Sequence, residues 1–264
     1  MAFAPLPDGD ELYYETHGSG PPVLIVSGLG GRPGFWQPLL GELTKDFTII
    51  LHDHRGTGSS SKPHFTYSVE QMAADVAALL DHLNIEKAGL VGHSTGGAIG
   101  QVMAIDHPHR LSALMIASSW PGKDAYFEEF FRARKKLIET SGPAEYVRTL
   151  FIAGYPPKVV SDNPHLVADP SEEDVALAFP DVDCFIRRID AIRAFDRRTE
   201  LENIDMPVLV TCARDDMITP IHFSQELAKR IPGAVVDFIE TGAHFYPVLQ
   251  QGDFCRQVRS LFTS

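Results

Sequence analysis

Short, mostly apolar runs rich in valine and isoleucine alternate along the chain with longer stretches in which apolar residues recur at helical spacing. Each run is four or five residues long, which suits a buried strand. Strands that alternate with helices are typical of βαβ units, so the pattern predicts an α/β fold built around a mostly parallel sheet. The predicted strands are 23–26, 47–51, 88–91, 114–117, 208–212 and 235–239.

Local signals predict three further elements. Residues 11–17 have turn residues on both sides, which suits an antiparallel hairpin strand at the sheet edge. Residues 69–80 carry an apolar stripe and predict a surface helix with Ser68 as its N-cap. A later helix is predicted to run to about residue 231, with Thr219 as its N-cap and Pro220 in its first turn.

The alternation of strands and helices stops between residues 120 and 201. Helical spacing continues through this segment, with breakers at 141–143, 155–157 and 163–164, and no strand-like run interrupts it. We therefore expect residues 120–201 to be a helical lid inserted over one end of the sheet, and residues 1–119 and 202–264 to form the core domain.

Composition and charge narrow the choice of partners. The chain has 264 residues, 44% of them hydrophobic, which suits one core domain carrying an inserted subdomain. Its 23 Lys and Arg are outnumbered by 35 Asp and Glu, for a formal net charge of −12. Such an excess repels nucleic acids and anionic membrane surfaces, so a small-molecule substrate is the expected partner, with no nucleic acid and no membrane.

The cysteines and the amino terminus indicate the compartment. Cys184, Cys212 and Cys255 lie far apart and lack the paired spacing of metal ligands, so we expect no disulfide, metal site or cofactor. The first residues lack the basic and long apolar regions of a signal peptide, and no apolar run approaches the roughly 18 residues of a membrane span. A cytoplasmic protein is expected.

Residues 92–96 read Gly-His-Ser-Thr-Gly and join a predicted strand to a helix-like stretch. A Gly-x-Ser-x-Gly pattern arises by chance in such a chain about one time in ten, but a strand-to-helix turn makes it more specific by placing Ser94 on a strained bend. The alternative is an ordinary turn in which Ser94 only caps the helix. Against it stand Gly96, Gly97 and Gly100, each costing about 1 kcal/mol in a helix, which makes sense if the helix backbone lies close to the sheet.

A serine hydroxyl is a poor nucleophile at neutral pH and needs a base and a group that orients the base. Asp216 follows strand 208–212 and His244 follows strand 235–239. Alone, Asp216 could be a carboxylate at a helix start and His244 a loop histidine without a role. Together with Ser94 they fall at carboxyl ends of predicted parallel strands, where open α/β sheets build their sites. Asp216 is preferred to Asp215 because it stands four residues before Pro220.

Acyl transfer also needs hydrogen-bond donors aimed at the developing oxyanion. Residues 27–31, Ser-Gly-Leu-Gly-Gly, follow the first buried strand and can expose a backbone amide. The N–H groups of Leu29 and Thr95 are the candidates. A phosphate-binding loop is disfavoured because the glycines have neither the Gly-x-Gly-x-x-Gly nor the Gly-x-x-x-x-Gly-Lys spacing of nucleotide-binding loops.

Four segments together resemble the α/β-hydrolase fold superfamily: 53–60, 92–97, 216–220 and 242–244. The resemblance implies an eight-stranded, mostly parallel sheet flanked by helices, with the lid at 120–201. It also implies that Ser94, Asp216 and His244 form a catalytic triad, that Leu29 and Thr95 are the oxyanion donors, and that residues 53–56 form a structural turn near the site.

Within the superfamily, residues 27–31 with Trp36, and the Asp-x-Arg-Gly-x-Gly turn, look most like the branch of 3-oxoadipate enol-lactonases and aminoacrylate hydrolases. This implies a serine hydrolase that cleaves a small-molecule ester, lactone or related acyl bond through an acyl-enzyme. Amide, enamine or carbon–carbon bond hydrolysis and perhydrolysis on the same serine stay open, as does a non-catalytic binder. Two residues depart from the branch: Ser27 stands where histidine is common, and Ala213 where glycine is usual.

Selectivity is expected to come from the lid. The aromatic side chains of Trp120, Tyr126, Phe127, Phe130 and Phe131 are predicted to offer an apolar wall to the substrate, the alternative being simple core packing. One lid arginine could pair with a substrate carboxylate. The candidates are Arg132, Arg134, Arg148, Arg187, Arg188 and Arg193.

Overall fold

The computed structural model describes residues 2–168 and 170–263, and within them eight strands form a single sheet. The strands are β1 (Ala2–Pro5), β2 (Glu11–His17), β3 (Pro22–Val26), β4 (Thr48–His52), β5 (Ala88–His93), β6 (Leu111–Ala117), β7 (Val208–Thr211) and β8 (Val235–Val236). Their order across the sheet is β1-β2-β4-β3-β5-β6-β7-β8. The strands from β4 to β8 in this order pair in parallel, and β2 pairs antiparallel with both β1 and β4. The predicted α/β class with a mostly parallel sheet is confirmed.

The two edges of the sheet differ from the sequence prediction. The predicted hairpin strand is β2, but the edge position belongs to β1, four residues that the pattern did not reveal. At the other edge β8 has only two residues instead of the predicted five, and Val235 and Val236 are exposed. Residues 235–239 are therefore wrong as a fully buried strand, because an edge strand has a neighbour on one side only.

Helices cover both faces of the sheet. They are α1 (Gln37–Leu43), α2 (Val69–His82), α3 (Thr95–Asp106), α4 (Ala125–Gly154), α5 (Pro157–Asp162), α6 (Glu172–Ala178), α7 (Val182–Ala194), α8 (Ile221–Arg230), α9 (Tyr246–Leu249) and α10 (Gln251–Phe262). Alternate residues of β3 point to opposite faces, as the pleat requires. Leu24 and Val26 pack in the apolar cluster that includes α2, α3 and α8, whereas Val23 and Ile25 pack in the cluster of α1 and α10.

Two helix starts test the cap predictions. The Ser68 hydroxyl accepts a hydrogen bond from the backbone N–H of Gln71 at 3.0 Å, so the predicted N-cap of α2 is confirmed. The predicted cap of α8 is wrong, because Pro220 occupies the cap position and the helix begins at Ile221. The Thr219 hydroxyl instead donates to the backbone oxygen of Ser118 and to the Asp216 carboxylate.

Between β6 and β7 the chain forms α4 to α7. The predicted breakers coincide with interruptions: α4 is kinked at Gly142, where φ is +81°, and ends before the prolines at 156–157, and α5 ends before Pro164. The division into a core domain and a lid at 120–201 stays a prediction. Within the described residues, no helix combines the length and apolar character required to cross a membrane.

Candidate active site

Ser94 lies at the tight turn between β5 and α3, in a backbone conformation that L-amino acids rarely adopt. Its φ is +56° and its ψ is −118°. Although Ser94 occupies the N-cap position of α3, its side chain makes no capping hydrogen bond. The structure therefore does not support an ordinary cap. Strain of this kind persists only where the surroundings enforce it, and it is typical of a nucleophile elbow.

The glycines on either side of Ser94 permit the turn because the backbone segments approach closely. A Cβ at Gly96 would collide with the backbone oxygen of Val26, and one at Gly92 would collide with the backbone of Gly96. Residues 95–104 of α3 are all buried. The helix thus lies tightly against the sheet, as its glycine content predicted.

Asp216 and His244 form a buried pair at the carboxyl ends of β7 and β8. Nδ1 of His244 donates to Oδ2 of Asp216 at 2.9 Å. The other carboxylate oxygen accepts the backbone N–H groups of Ile218 and Thr219, at 2.8 and 3.0 Å. Burial by itself would raise the pKa of Asp216, but the adjacent His244 and the Thr219 amide lower it below the ordinary value. Asp216 is therefore a carboxylate at neutral pH and holds the Nδ1–H tautomer of His244.

Asp215, the alternative candidate, binds the backbone of the turn that carries His244. Its carboxylate accepts the N–H of Ala243 at 2.8 Å and the hydroxyl of Thr241 at 2.7 Å. None of its hydrogen bonds reaches the imidazole of His244. It stabilises the turn, whereas Asp216 orients the ring.

His93 is a third buried group that contacts this turn, and the sequence analysis gave it no role. Its Nε2 donates to the backbone oxygen of His244 at 2.9 Å, and the two rings are 4.8 Å apart. Burial lowers the pKa of His93 to about 3, so the ring is neutral at neutral pH. Its place directly before Ser94 in the Gly-His-Ser motif was the available signal.

Ser94 and His244 line the same cavity, whose volume is about 380 Å³. Among the described residues no hydrogen bond joins the Ser94 hydroxyl to His244. Hydrogen bonds between a catalytic hydroxyl and its base are often formed only in the complex with substrate. The cavity brings the two side chains together from positions 150 residues apart in the chain.

The two proposed oxyanion donors lie in the loop that follows β3 and at the start of α3. Leu29 lines the cavity, and Thr95 is the first residue of α3, directly behind Ser94. The backbone N–H groups of Leu29 and Thr95 take part in none of the hydrogen bonds of the described residues. Both amides are therefore available to a ligand.

Ser27 anchors the loop that contains Leu29. The indole N–H of Trp36 donates to the Ser27 hydroxyl at 2.8 Å, and that hydroxyl donates to the backbone oxygen of Arg32 at 3.2 Å. The turn at 53–57 holds the loop from the other side, since the backbone N–H of His54 donates to the oxygen of Gly31 at 3.0 Å. Ser27 thus supplies the attachment at the position where the resemblance implies a histidine.

The model of the α/β hydrolase fold family matches residues 21–248. The chain belongs to the α/β-hydrolase family. Two similar proteins are named as RutD carbamate hydrolases. The one from Azorhizobium caulinodans is 37% identical over 246 residues, which cover 93% of this chain and 92% of that protein. The one from Pseudomonas syringae pv. syringae is 35% identical over 256 residues, covering 96% and 98%.

Among solved structures, the enol-lactonase from Burkholderia xenovorans LB400 superposes with a TM-score of 0.90 and covers 100% of both chains. At 24% sequence identity it shows the fold alone. The matches to the RutD proteins fit the branch that the glycine loop and the Asp-x-Arg-Gly-x-Gly turn indicate. The chain is a hydrolase enzyme with the α/β-hydrolase fold.

Of the five aromatic side chains that the sequence suggests for the apolar wall of this α/β-hydrolase cavity, Phe131 alone lines it. Trp120 and Phe127 are fully buried and pack against each other in the core, with ring centroids 4.6 Å apart, and Phe130 stacks on Tyr126. None of these four side chains lines the cavity. Helical spacing alone does not tell which side of a helix faces a cavity and which faces the core. The aromatic side chains that line it are Phe35, Phe131, Tyr146, Phe151, Phe179, Phe185 and Phe245.

The six lid arginines of the sequence analysis have different surroundings. Four form ion pairs with acidic side chains of the lid: Arg132 with Glu129, Arg148 with Glu145, Arg187 with Asp183, and Arg193 with Glu128 and Asp190. Arg188 is fully buried and binds backbone oxygens. Only Arg134 of the six lines the cavity.

One group of described residues has the donor atoms of a metal site: His64, Asp181 and Cys184, whose ligand atoms lie within 4.8 Å of one another. Nε2 of His64 is already bound to the Asp181 carboxylate at 2.8 Å, and none of the three residues lines the cavity. The group is separate from the candidate active site.

Proposed function

We propose that this α/β-hydrolase is a serine hydrolase that cleaves a small ester or lactone bearing a carboxylate, through an acyl-enzyme on Ser94. The observation that carries the proposal is the arrangement around one cavity: a strained serine at the elbow and an imidazole held by a buried carboxylate. The hydrolase names of the relatives support the reaction class.

The mechanism follows from the tautomer of His244. Because Nδ1 carries a proton bound by Asp216, Nε2 is free to accept the proton of the Ser94 hydroxyl. As that proton leaves, the serine oxygen forms a bond to the acyl carbon and the carbonyl oxygen becomes negative. The N–H groups of Leu29 and Thr95 would stabilise this oxyanion.

The oxyanion then collapses and the bond to the leaving group breaks, which completes acylation. Imidazolium His244 gives its proton to the leaving alkoxide, and the acyl group remains on Ser94. A water molecule then attacks the ester carbon while His244 takes a proton from it. The bond between the acyl carbon and the Ser94 oxygen then breaks, imidazolium His244 returns its proton to that oxygen, and the acid product leaves. Throughout, the Asp216 carboxylate stabilises the positive charge on His244.

The surroundings of Arg134 are the reason for proposing a substrate that bears a carboxylate. Its side chain is buried, and its guanidinium lies over the ring of Tyr146, 4.0 Å from the centroid. Within the described residues it has no ion pair, and its Nε has no hydrogen-bond partner. A buried charge without a partner is unfavourable. A substrate anion in the cavity would provide that partner through a charge-assisted hydrogen bond.

Size and lining of the cavity support a substrate with an apolar portion. A volume of about 380 Å³ lies within the range of about 300–1,000 Å³ for small-molecule sites. Most of the lining side chains are aromatic or aliphatic. A free carbamate is far smaller and has no apolar part. Since the RutD relatives are named for carbamates, carbamate hydrolysis is the second candidate function.

The test is a panel of matched substrates with four forms of the enzyme. The panel pairs a neutral nitrophenyl ester with an ester of the same length that ends in a carboxylate, and adds lactones, an N-alkyl carbamate and an amide. Wild type is compared with Ser94→Ala, Arg134→Met and Arg132→Met, the last being a matched control because Arg132 is exposed and paired with Glu129.

We expect wild type to prefer the anionic ester or a lactone acid, and Ser94→Ala to lose at least about 10⁴-fold in kcat. Arg134→Met should lower kcat/KM for the anionic ester about 10- to 100-fold and for the neutral ester only slightly. Turnover that persists in Ser94→Ala would overturn the mechanism. Preference for the carbamate would establish the second candidate, and tight binding without hydrolysis would identify a binder.

A further inference from the structure

Arg188 joins helix α7 to the loop that carries Leu29. Its side chain is fully buried. Nη1 donates to the backbone oxygen of Arg55 at 2.8 Å, and Nη2 donates to the backbone oxygen of Leu29 and to Nδ1 of His54, both at 2.9 Å. One guanidinium from the inserted helices therefore binds two separate loops of the core.

The hydrogen-bond partners of Arg188 are neutral, so burying its charged side chain costs free energy. Burial lowers the pKa of Arg188 to about 10, so the group is still a cation at neutral pH. Among the described residues it has no ion pair, and the Asp75 carboxylate, which raises the pKa from a distance, is bound to Arg55. The neutral partners are two backbone carbonyls, the His54 imidazole and, at 3.9 Å, the Met72 sulfur. A buried cation with neutral partners of this kind is less favourable than an apolar side chain of similar size. Stability alone does not account for an arginine here.

The hydrogen bond from Arg188 to the backbone oxygen of Leu29 helps to fix the direction in which the N–H of Leu29 points. The N–H of Leu29 shares a rigid peptide plane with the carbonyl of Gly28, which accepts the N–H of Gly31 at 2.8 Å. The next peptide plane, which contains the Leu29 carbonyl, is the one that Arg188 holds. Hydrogen bonds thus fix both peptide planes beside the Leu29 Cα. One of these bonds lies within the loop, and the other comes from Arg188 on α7.

His54 adds a second attachment through the same guanidinium. Burial and the nearby Arg188 keep the pKa of His54 well below its usual value, so its Nδ1 is a neutral acceptor. The backbone N–H of the same residue donates to Gly31. Arg188 consequently holds the loop at Leu29 directly and at Gly31 through His54.

We propose that Arg188 is a positioning residue for acyl transfer, which fixes the Leu29 amide in the direction of the oxyanion and makes that geometry depend on the seating of α7. The inference rests on the proposed function of Ser94 and Leu29. It assigns to a lid residue a part in the rate of the chemical step in addition to substrate selection. A positive charge behind the loop also favours negative charge on the substrate oxygen in the low-dielectric interior.

The experiment compares Arg188→Met and Arg188→Lys with Arg187→Met. Methionine removes the charge and the hydrogen bonds to Arg55, Leu29 and His54. Lysine keeps the charge but lacks the planar fork that reaches these acceptors together. Arg187 is the matched control, since it is the adjacent residue of α7 and is exposed and paired with Asp183. Two quantities are measured: kcat and KM for the best ester, and the affinities for an alkylboronic acid and for the product acid. The boronic acid forms a tetrahedral adduct with a serine, whereas the product acid does not.

We expect Arg188→Met to lower kcat by about 10²-fold with KM changed less than about threefold, as for loss of an oxyanion donor. The affinity for the boronic acid should fall by a similar factor, and that for the product acid should stay the same. Arg188→Lys should lose at least about tenfold in kcat, and Arg187→Met should match wild type. A merely structural role would lower the melting temperature of the variant and leave kcat and the boronic acid affinity unchanged.

Two results overturn the inference. If a folded Arg188 variant keeps kcat and boronic acid affinity within about threefold of wild type, Arg188 does not position the oxyanion loop. If Arg188→Met does not fold, Arg188→Lys decides by the same criterion. Ser94→Ala in the same assays separates the two proposals, because turnover that does not depend on Ser94 removes the proposed function itself.

Discussion

Asp215 and Asp216 are adjacent in the sequence, yet they bind different parts of one turn: Asp216 binds the His244 imidazole at 2.9 Å, and Asp215 binds the Ala243 amide at 2.8 Å. Asp216→Asn should lower kcat about 10⁴-fold, because an amide does not hold the required tautomer of His244. Asp215→Asn should lower kcat less than about tenfold, since its remaining side-chain oxygen can still accept the backbone amide. Steady-state kinetics of the two variants measures the difference. Equal losses would show that both carboxylates serve the imidazole.

Gly28 and Gly30 offer a matched pair for the proposed oxyanion site. A Cβ at Gly28 would lie 3.2 Å from the Cβ of Ser94 and 3.6 Å from its hydroxyl oxygen, whereas a Cβ at Gly30 would meet nothing within 4 Å. Gly28→Ala should therefore crowd the reacting carbonyl and lower kcat/KM by about 10²-fold, with Gly30→Ala nearly unchanged. Kinetics with thermal melting as a fold control tests this. Full activity in Gly28→Ala would place the oxyanion elsewhere.

The hydrogen bond between the Trp36 indole and the Ser27 hydroxyl should stabilise the folded protein. Ser27→Ala leaves the buried indole N–H without an acceptor and the Arg32 carbonyl without a donor, so we expect a loss of about 1–3 kcal/mol in the free energy of unfolding. Trp36→Phe and the double variant complete a cycle measured by urea unfolding. Strictly additive losses would contradict a direct coupling.

His93 should make the protein sensitive to acid. Its pKa is about 3 in the folded state and 6.5 as the ordinary value, so below pH 6.5 the unfolded chain binds the extra proton. This contribution to stability is complete above pH 6.5 and decreases by about 1.4 kcal/mol for each pH unit as the pH falls towards 3. Burial is the cause, since it penalises the charged ring.

The variant His93→Gln keeps a donor for the His244 carbonyl but does not titrate. Between pH 6.5 and about pH 5, the difference in unfolding free energy between wild type and variant should shift by about 2 kcal/mol in favour of the variant. Urea unfolding at several pH values measures it. If the unfolding free energies of wild type and variant change with pH in parallel, the low pKa assigned to His93 is wrong.

Much of the fold was predictable because buried parallel strands leave a strong local signal. The runs at 23–26, 88–91 and 114–117 lie within β3, β5 and β6. The edge strands were missed or overextended, since β1 is short and β8 is paired on one side. Edges depend on which strand has no further neighbour, and that is a property of the whole sheet.

The site shows the same division between local and long-range information. Ser94, Asp216 and His244 could be named as candidates because the carboxyl ends of parallel strands meet at one rim, and their joint role as a triad stays a prediction. Arg134 was one of six equivalent arginines, and only the packing of the helices decides that it faces the cavity. The sequence does not identify His93 and Arg188 as positioning groups, because they bind backbone oxygens, which every residue type has.

The hydrogen bond from α7 to the loop that carries Leu29 matters for the re-engineering of such enzymes. Grafting the segment 120–201 from a relative would exchange the guanidinium at position 188 together with the pocket wall. A chimaera could therefore acquire a new substrate range and lose turnover at once, unless an arginine with the same reach were retained in the donor helix. Recombination at this junction is best planned around that contact.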